Sequence, residues 1–288
     1  MTGMRSSVAK PNLTSALLGG AGGPASRLCV GIDPHPGTLH SWGLPDTAQG
    51  AREFASQLVD ACLERNIRVV KPQVALFERL GVAGMSTLAE LIQSARERGA
   101  QVIADAKRGD IGSTMAGYAE AWLAPGGDFE SDGLTLSPYL GTGSLEPAIA
   151  AAAEHQKTVF VLAATSNPEA VALQSGTTSS GVSVAQSVLR DIQHRSQQGE
   201  ASAALGAVIG ATVNLAERGV ELGTDWSLPI LAPGFGHQGA QLADLRHIFG
   251  VHSALVIPTV SRSVAGDTAD GLAERLERHI EELASVEL

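Results

Sequence analysis

The chain has 288 residues, is 44% hydrophobic and 4% aromatic, and carries a formal net charge of −10. An acidic surface argues against nucleic acid as the main partner, because a polyanion needs a basic face; a small anion in a locally basic pocket is still allowed. No run of about 18 apolar residues and no basic-then-apolar leader occurs, so the sequence predicts a cytoplasmic chain with no membrane partner.

Taken in chain order, short apolar runs alternate with stretches of helical spacing. "RLCVGIDP" (27–34) precedes a helix over 46–66, and "IRVVKPQVALF" (67–77) precedes one over 84–98. "AQVIADAK" (100–107) leads into 113–123, "DGLTLSP" (132–138) into 144–155, and "KTVFVLAAT" (157–165) into 181–197. "ALGAVIGAT" (204–212) leads into 213–219, "LPILAP" (228–233) into 239–249, and "SALVIPTV" (253–260) into about 267–284. The runs are rich in β-branched residues, as parallel strands covered on both faces require. The helical stretches keep a 3.6 period; Ala89, Ile92 and Ala95 fall on one side, Glu90, Gln93, Arg96 and Glu97 on the other. Eight such units predict an α/β fold, a single-domain (β/α)8 TIM barrel over 27–288, with a doubly wound open sheet as the alternative. Residues 1–26 read as a loosely ordered lead-in with a short helix at 12–18. The stretch "LQSGTTSSG" (173–181) reads either as a mobile loop or as an ordinary surface loop.

Cys29 lies in a strand run and Cys62 in a helical one, and both read as reduced core thiols. Basic residues are uneven: 16 are Arg and four are Lys, namely Lys10, Lys71, Lys107 and Lys157. Lys71 and Lys107 fall within or at the end of strand runs. Burying a lysine without a partner is costly, so both need a reason.

In a (β/α)8 barrel, chemistry gathers at the C-terminal ends of the strands. The polar residues there are Asp33, Lys71, Asp105 with Lys107, Ser137, Thr165 with Ser166, Thr212 with Asn214, a glycine loop at 234–239, and Arg262. Positions i and i+2 of a strand share a face, so Asp105 and Lys107 point the same way, and at the end of a barrel strand that way can be the barrel mouth. Lys71 occupies a neighbouring strand, which makes a Lys–Asp–Lys row available. At 4 Å, a unit charge pair is worth about 4 kcal/mol at an effective dielectric near 20. Such a row holds one ammonium ready as a proton donor and one carboxylate that repels any anion set against it. A salt-bridge network that merely caps the barrel is the alternative. Asp110 lies beyond the strand and need not share that face.

"GFGHQG" (234–239) matches G-x-G-x-x-G, but it sits in the seventh unit and no acid follows about 20 residues on at a strand end. It fits better as a phosphate loop, with backbone N–H groups and a following helix N-terminus approaching the oxyanion and Arg262 adding a bidentate charge. A plain tight turn with a surface arginine is the competing reading. His35, His40 and His237 match no metal-ligand spacing, so no metal is predicted.

The stretch "DAKRGDIGST" closely resembles the D-x-K-x-x-D signature of the orotidine 5'-phosphate decarboxylases. "GIDPHP", "VKPQVALFE", "ATSNP", "PGFGHQG" and "TVSRS" resemble the longer-chain branch of that family, in the right order from residue 31 to 263. The resemblance implies cofactor-free conversion of orotidine 5'-monophosphate to UMP and CO2. It assigns the charged row to Lys71, Asp105, Lys107 and Asp110, with Lys107 protonating C6 and Asp105 against the departing carboxylate. It also implies a homodimer in which Asp110, Ile111 and Thr114 reach across to the other subunit. Asp33 becomes the ribose-hydroxyl ligand, Ser166 a pyrimidine ligand, and Gly236, Gln238 and Arg262 phosphate ligands. Two rivals stand beside it: a phosphosugar aldolase or synthase on the same barrel, and a nucleotide-binding protein without activity.

Overall fold

The computed structural model describes residues 13, 23–198 and 204–286. Eight parallel strands close into one barrel in sequence order: β1 Cys29–Ile32, β2 Val69–Pro72, β3 Gln101–Arg108, β4 Gly133–Leu136, β5 Thr158–Ala164, β6 Leu205–Ile209, β7 Ile230–Pro233 and β8 Val256–Val260. The barrel shuts where Cys29 and Val30 of β1 pair with Thr259 and Val260 of β8. Nearly every strand residue is buried. These two-sided apolar runs therefore belong to a sheet covered by helices outside and side chains within.

Alternation along the strands divides the apolar residues into two sets. Cys29, Val69, Ile103, Phe160, Val208, Leu231 and Ile257 fill the barrel interior, together with Leu13. A Cβ added at Gly133, the first residue of β4, would stand 3.0 Å from a Leu13 methyl. The Leu13 side chain thus sits at the N-terminal end of the barrel interior. The rest of the predicted helix at 12–18 lies outside the described residues.

The larger apolar set lies between strands and helices. Helix Ala48–Glu64 shows how sequence builds that layer. Thr47 caps it by accepting from the Gly50 N–H at 3.3 Å, and Ala51, Phe54, Ala55, Leu58, Val59 and Cys62 form one buried stripe. Truncating fully buried Phe54 to alanine would cost about 3–5 kcal/mol.

Several predicted boundaries shift, and two cases have a clear physical cause. The run 67–77 ends as a strand at Pro72, and helix Val74–Glu78 follows at once. Proline donates no ladder hydrogen bond, which favours an end there. The predicted helix over 213–219 is a series of turns. Asn214 Oδ1 accepts from the Glu217 N–H and starts one turn, but Gly219 at φ 61° ends it, and the Val220 N–H bonds back to the Leu215 carbonyl. The 173–181 stretch is stitched down: the Thr178 N–H and hydroxyl both donate to the Val182 carbonyl, at 2.8 and 2.9 Å.

At the N-terminal ends of β3 to β5 lies a charge cluster separate from the barrel mouth. Glu130 receives Lys157 at 2.8 Å and Arg96 at 2.5 Å, and Asp132 accepts from the Val102 N–H at 2.9 Å. Chemistry in such a barrel gathers at the opposite end, so this cluster is read as serving stability.

Candidate active site

The charged row forms, and it forms inside a cavity. Lys71, at the third position of β2, extends its ammonium to within 2.8 Å of Asp105 Oδ2. Lys107 places its own 2.6 Å from Asp105 Oδ1. One carboxylate on β3 is therefore gripped by two ammonium groups, one per oxygen. Gln73 donates to Asp105 Oδ2 at 3.2 Å, and Thr135 of β4 donates to Oδ1 at 2.8 Å.

The members differ in exposure, and that separates their roles. The side chains of Lys71 and Asp105 are 7% and 9% exposed, whereas that of Lys107 is 43% exposed. Both lysines reach the cavity wall, Lys71 as the buried partner of Asp105 and Lys107 as the more exposed one. Burial by itself would raise the Asp105 carboxyl, but attraction to Lys71 and Lys107 outweighs it and holds the group far below the usual carboxylate range. Burial likewise would lower Lys71, yet Asp105 and then Asp33 raise it above an ordinary lysine. Asp105 is a fixed anion, and Lys71 a fixed cation.

The row lines a cavity of about 830 Å³ at the C-terminal mouth of the barrel, with Asp33, Ser166, Gln238 and Arg262 on its other walls. Such a volume falls in the range of small-molecule sites. Asp33, just past β1, accepts from Ser261 at 2.5 Å through Oδ2, while Oδ1 is buried without a partner. A carboxylate oxygen held this way suits a hydroxyl donor. Ser166 donates to Gln238 Oε1 at 3.0 Å, tying the loop after β5 to the loop after β7 across the mouth. Arg262 begins the short helix Arg262–Ala265 after β8 and is exposed at the rim; among the described residues no acid pairs with it.

Gly236 stands apart. It does not line the cavity, and its N–H donates to the Ala240 carbonyl at 2.7 Å rather than toward the mouth. Its φ is 76°, and a Cβ there would meet Ser263 Oγ at 2.3 Å. The glycine is needed for the shape of the loop, with Gly234, Phe235, His237 and Gln238 forming the cavity wall.

Asp110, Ile111 and Thr114 do not line the cavity either. Asp110 is half-buried and accepts from the Ile111 N–H at 2.8 Å, while Ile111 is 62% exposed. All three lie at the start of helix Gly112–Leu123, with Ile111 and Thr114 exposed. Among the described residues, no group of three or more His, Cys, Asp or Glu has the placement of a metal site.

Gln73, Thr135 and Ser261 belong to the site and escaped the sequence reading. Each is a polar residue at or just past a strand end, placed to face the mouth. That alternation was the available signal, but in "GLTL" a threonine reads as ordinary strand filler.

Residues 26–274 match the model of the orotidine 5'-phosphate decarboxylase / HUMPS family. An orotidine 5'-phosphate decarboxylase from Corynebacterium glutamicum is 48% identical over 248 residues, 85% of this chain and 87% of that protein. Its counterpart from Streptomyces coelicolor is 46% identical, covering 86% and 88%. A solved Streptomyces avermitilis structure, provisionally assigned as an orotidine 5'-phosphate decarboxylase, superposes with TM-score 0.87 at 41% identity over 99% of both chains. The Leishmania donovani OMP decarboxylase superposes with TM-score 0.70 at 27% identity, covering 91% of this chain and 95% of its own. This chain belongs to the orotidine 5'-phosphate decarboxylase family.

Proposed function

We propose that the chain converts orotidine 5'-monophosphate to UMP and CO2 in pyrimidine biosynthesis without a cofactor, with Lys107 as the acid that protonates C6. The observation that carries this reading is the asymmetry of the row: Lys107 is accessible from the cavity while bonded to a buried anion 2.6 Å away. The C6–carboxylate bond breaks and leaves its electron pair on C6. The Lys107 ammonium stabilises that charge and then gives C6 its proton. Asp105 cannot accept a proton at neutral pH, so it repels a substrate carboxylate set beside it and favours its departure as neutral CO2.

Binding falls to the rest of the cavity. The unpartnered Asp33 oxygen suits a ribose hydroxyl, Ser166 the pyrimidine edge, and Gln238 with Arg262 the phosphate. Gly236 shapes that phosphate loop. Energy gained on the phosphate is spent on orienting the distant ring.

The working unit in this reading is a homodimer. Ile111, Tyr139 and Leu140 are 62%, 77% and 53% exposed on the loops after β3 and β4. Those loops touch, since a Cβ on Gly109 would stand 2.4 Å from the Ser137 carbonyl. An apolar patch of this kind at a cavity edge fits a second copy, which receives Asp110, Ile111 and Thr114 into its own site. Two buried free thiols, Cys29 and Cys62, fit a cytoplasmic setting.

The test is the fall in orotidine-monophosphate absorbance with purified protein in EDTA. Sustained turnover is expected. Turnover that returns only on adding Mg²⁺, or tight UMP binding with none, would replace this reading by one of its rivals.

A further inference from the structure

Between Ala104 and Arg108 the pairing of β3 with β4 slips. Ala104 pairs with Leu134 and Arg108 with Leu136, so three residues of β3 stand opposite one of β4. That one residue is Thr135, and the three are Asp105, Ala106 and Lys107. The extra length is absorbed at Lys107, whose φ is 48°. A non-glycine residue in the left-handed region costs about 1–2 kcal/mol and persists only where its surroundings hold it.

The Thr135 hydroxyl does the holding. It accepts from the Lys107 N–H at 3.0 Å, where a strand carbonyl would otherwise serve. The same hydroxyl donates to Asp105 Oδ1 at 2.8 Å, the oxygen that Lys107 Nζ contacts at 2.6 Å. A closed circuit results, running from Lys107 backbone to Thr135 to Asp105 and back to the Lys107 ammonium. Thr135 is 1% exposed, and a buried network of this kind is strong only when every member is satisfied. Its donor and acceptor roles are both used within the circuit.

We propose that Thr135 is a positioning residue for proton delivery, setting where the Lys107 ammonium stands relative to C6. The proposal rests on the role given to Lys107 above. Thr135 acts through Lys107 and Asp105, so losing its hydroxyl should reduce kcat and leave substrate affinity nearly intact. A displacement of about 1 Å at a reacting group is enough for roughly 100-fold in rate.

Thr135→Val keeps the shape of the side chain and deletes the hydroxyl. With orotidine 5'-monophosphate, kcat is expected to fall by roughly 10- to 100-fold, with KM and the Kd for UMP within about threefold of the parent. Thr135→Ser, which restores the hydroxyl, is expected to recover most of the lost kcat. On a Lys107→Ala background, Thr135→Val is expected to add little, because the group it positions is gone. Parental kcat in Thr135→Val overturns the proposal. So does a Thr135→Val chain that does not fold beside a fully active Thr135→Ser, which would make the Thr135 hydroxyl a requirement of the fold instead of a positioning group. If Lys107→Ala itself keeps its turnover, the role of Lys107 falls first; if Lys107→Ala is inactive while Thr135→Val is not, only the inference about Thr135 falls.

Discussion

Lys71 and Asp105 meet across two neighbouring strands with their charged atoms 2.8 Å apart and both side chains less than a tenth exposed. A buried pair is a poor source of net stability, but breaking one strands the other charge. Lys71→Met should therefore destabilise the chain by about 3 kcal/mol, the low end for a broken buried pair, because Lys107, Gln73 and Thr135 still hold Asp105. In a chain of this size that lowers Tm by roughly 6–12 °C. Calorimetry of the parent and the variant at pH 7 would check it; an unchanged Tm would mean that Lys71 is not needed to keep the Asp105 charge buried.

The charge cluster at the opposite end of the barrel has its own pH signature. Burial would raise the Glu130 carboxyl, but Arg96, Lys157 and the Gly126 N–H bring it down to about 2. A carboxyl whose folded pKa lies below its unfolded value contributes stability above the unfolded value and loses it as pH falls toward the folded one. For Glu130 the window runs from the ordinary 4.5 down to about 2. Glu130→Gln should flatten the stability-versus-pH curve in that window and lower stability at pH 7. Turnover at pH 7 should not change, since Glu130 lies at the far end of the strands from the cavity. Urea melts between pH 2 and 7 measure the slope.

The absence of Asp110 from the cavity wall of its own chain gives a complementation test. If Asp110 serves the neighbouring subunit, then Lys107→Ala and Asp110→Ala chains are each inactive alone, while a mixed dimer keeps one intact site. Random exchange makes half the dimers mixed, so mixing equal amounts should restore roughly a quarter of parental activity. No recovery, in a mixture shown by mass spectrometry to have exchanged subunits, would place Asp110 in its own subunit's site.

The barrel was legible because each strand is buried on two faces and reads as an apolar run, a signal that survives without neighbours. The row was legible for the opposite reason. Lys71, Asp105 and Lys107 are charges in such runs, and only a shared site justifies them. What stayed hidden depends on register. Thr135 matters because β3 slips by two residues against β4, and nothing in "GLTL" announces a slip in its partner. The direction of the Gly236 N–H, which bonds to the Ala240 carbonyl, was also out of reach; a motif fixes spacing, not where each amide points. The predicted 213–219 helix failed because apolar spacing over one turn cannot outweigh a glycine that ends it.

The account stands most directly on single-turnover rates for Lys107→Ala beside its affinity for UMP. Loss of the ammonium should slow decarboxylation by roughly a thousandfold or more, since both charge stabilisation and proton delivery disappear. Binding of UMP, which has no carboxylate to expel, should stay within about tenfold of the parent. A Lys107→Ala enzyme that decarboxylates at near-parental rate would contradict the central claim, and the row at the barrel mouth would then be structural.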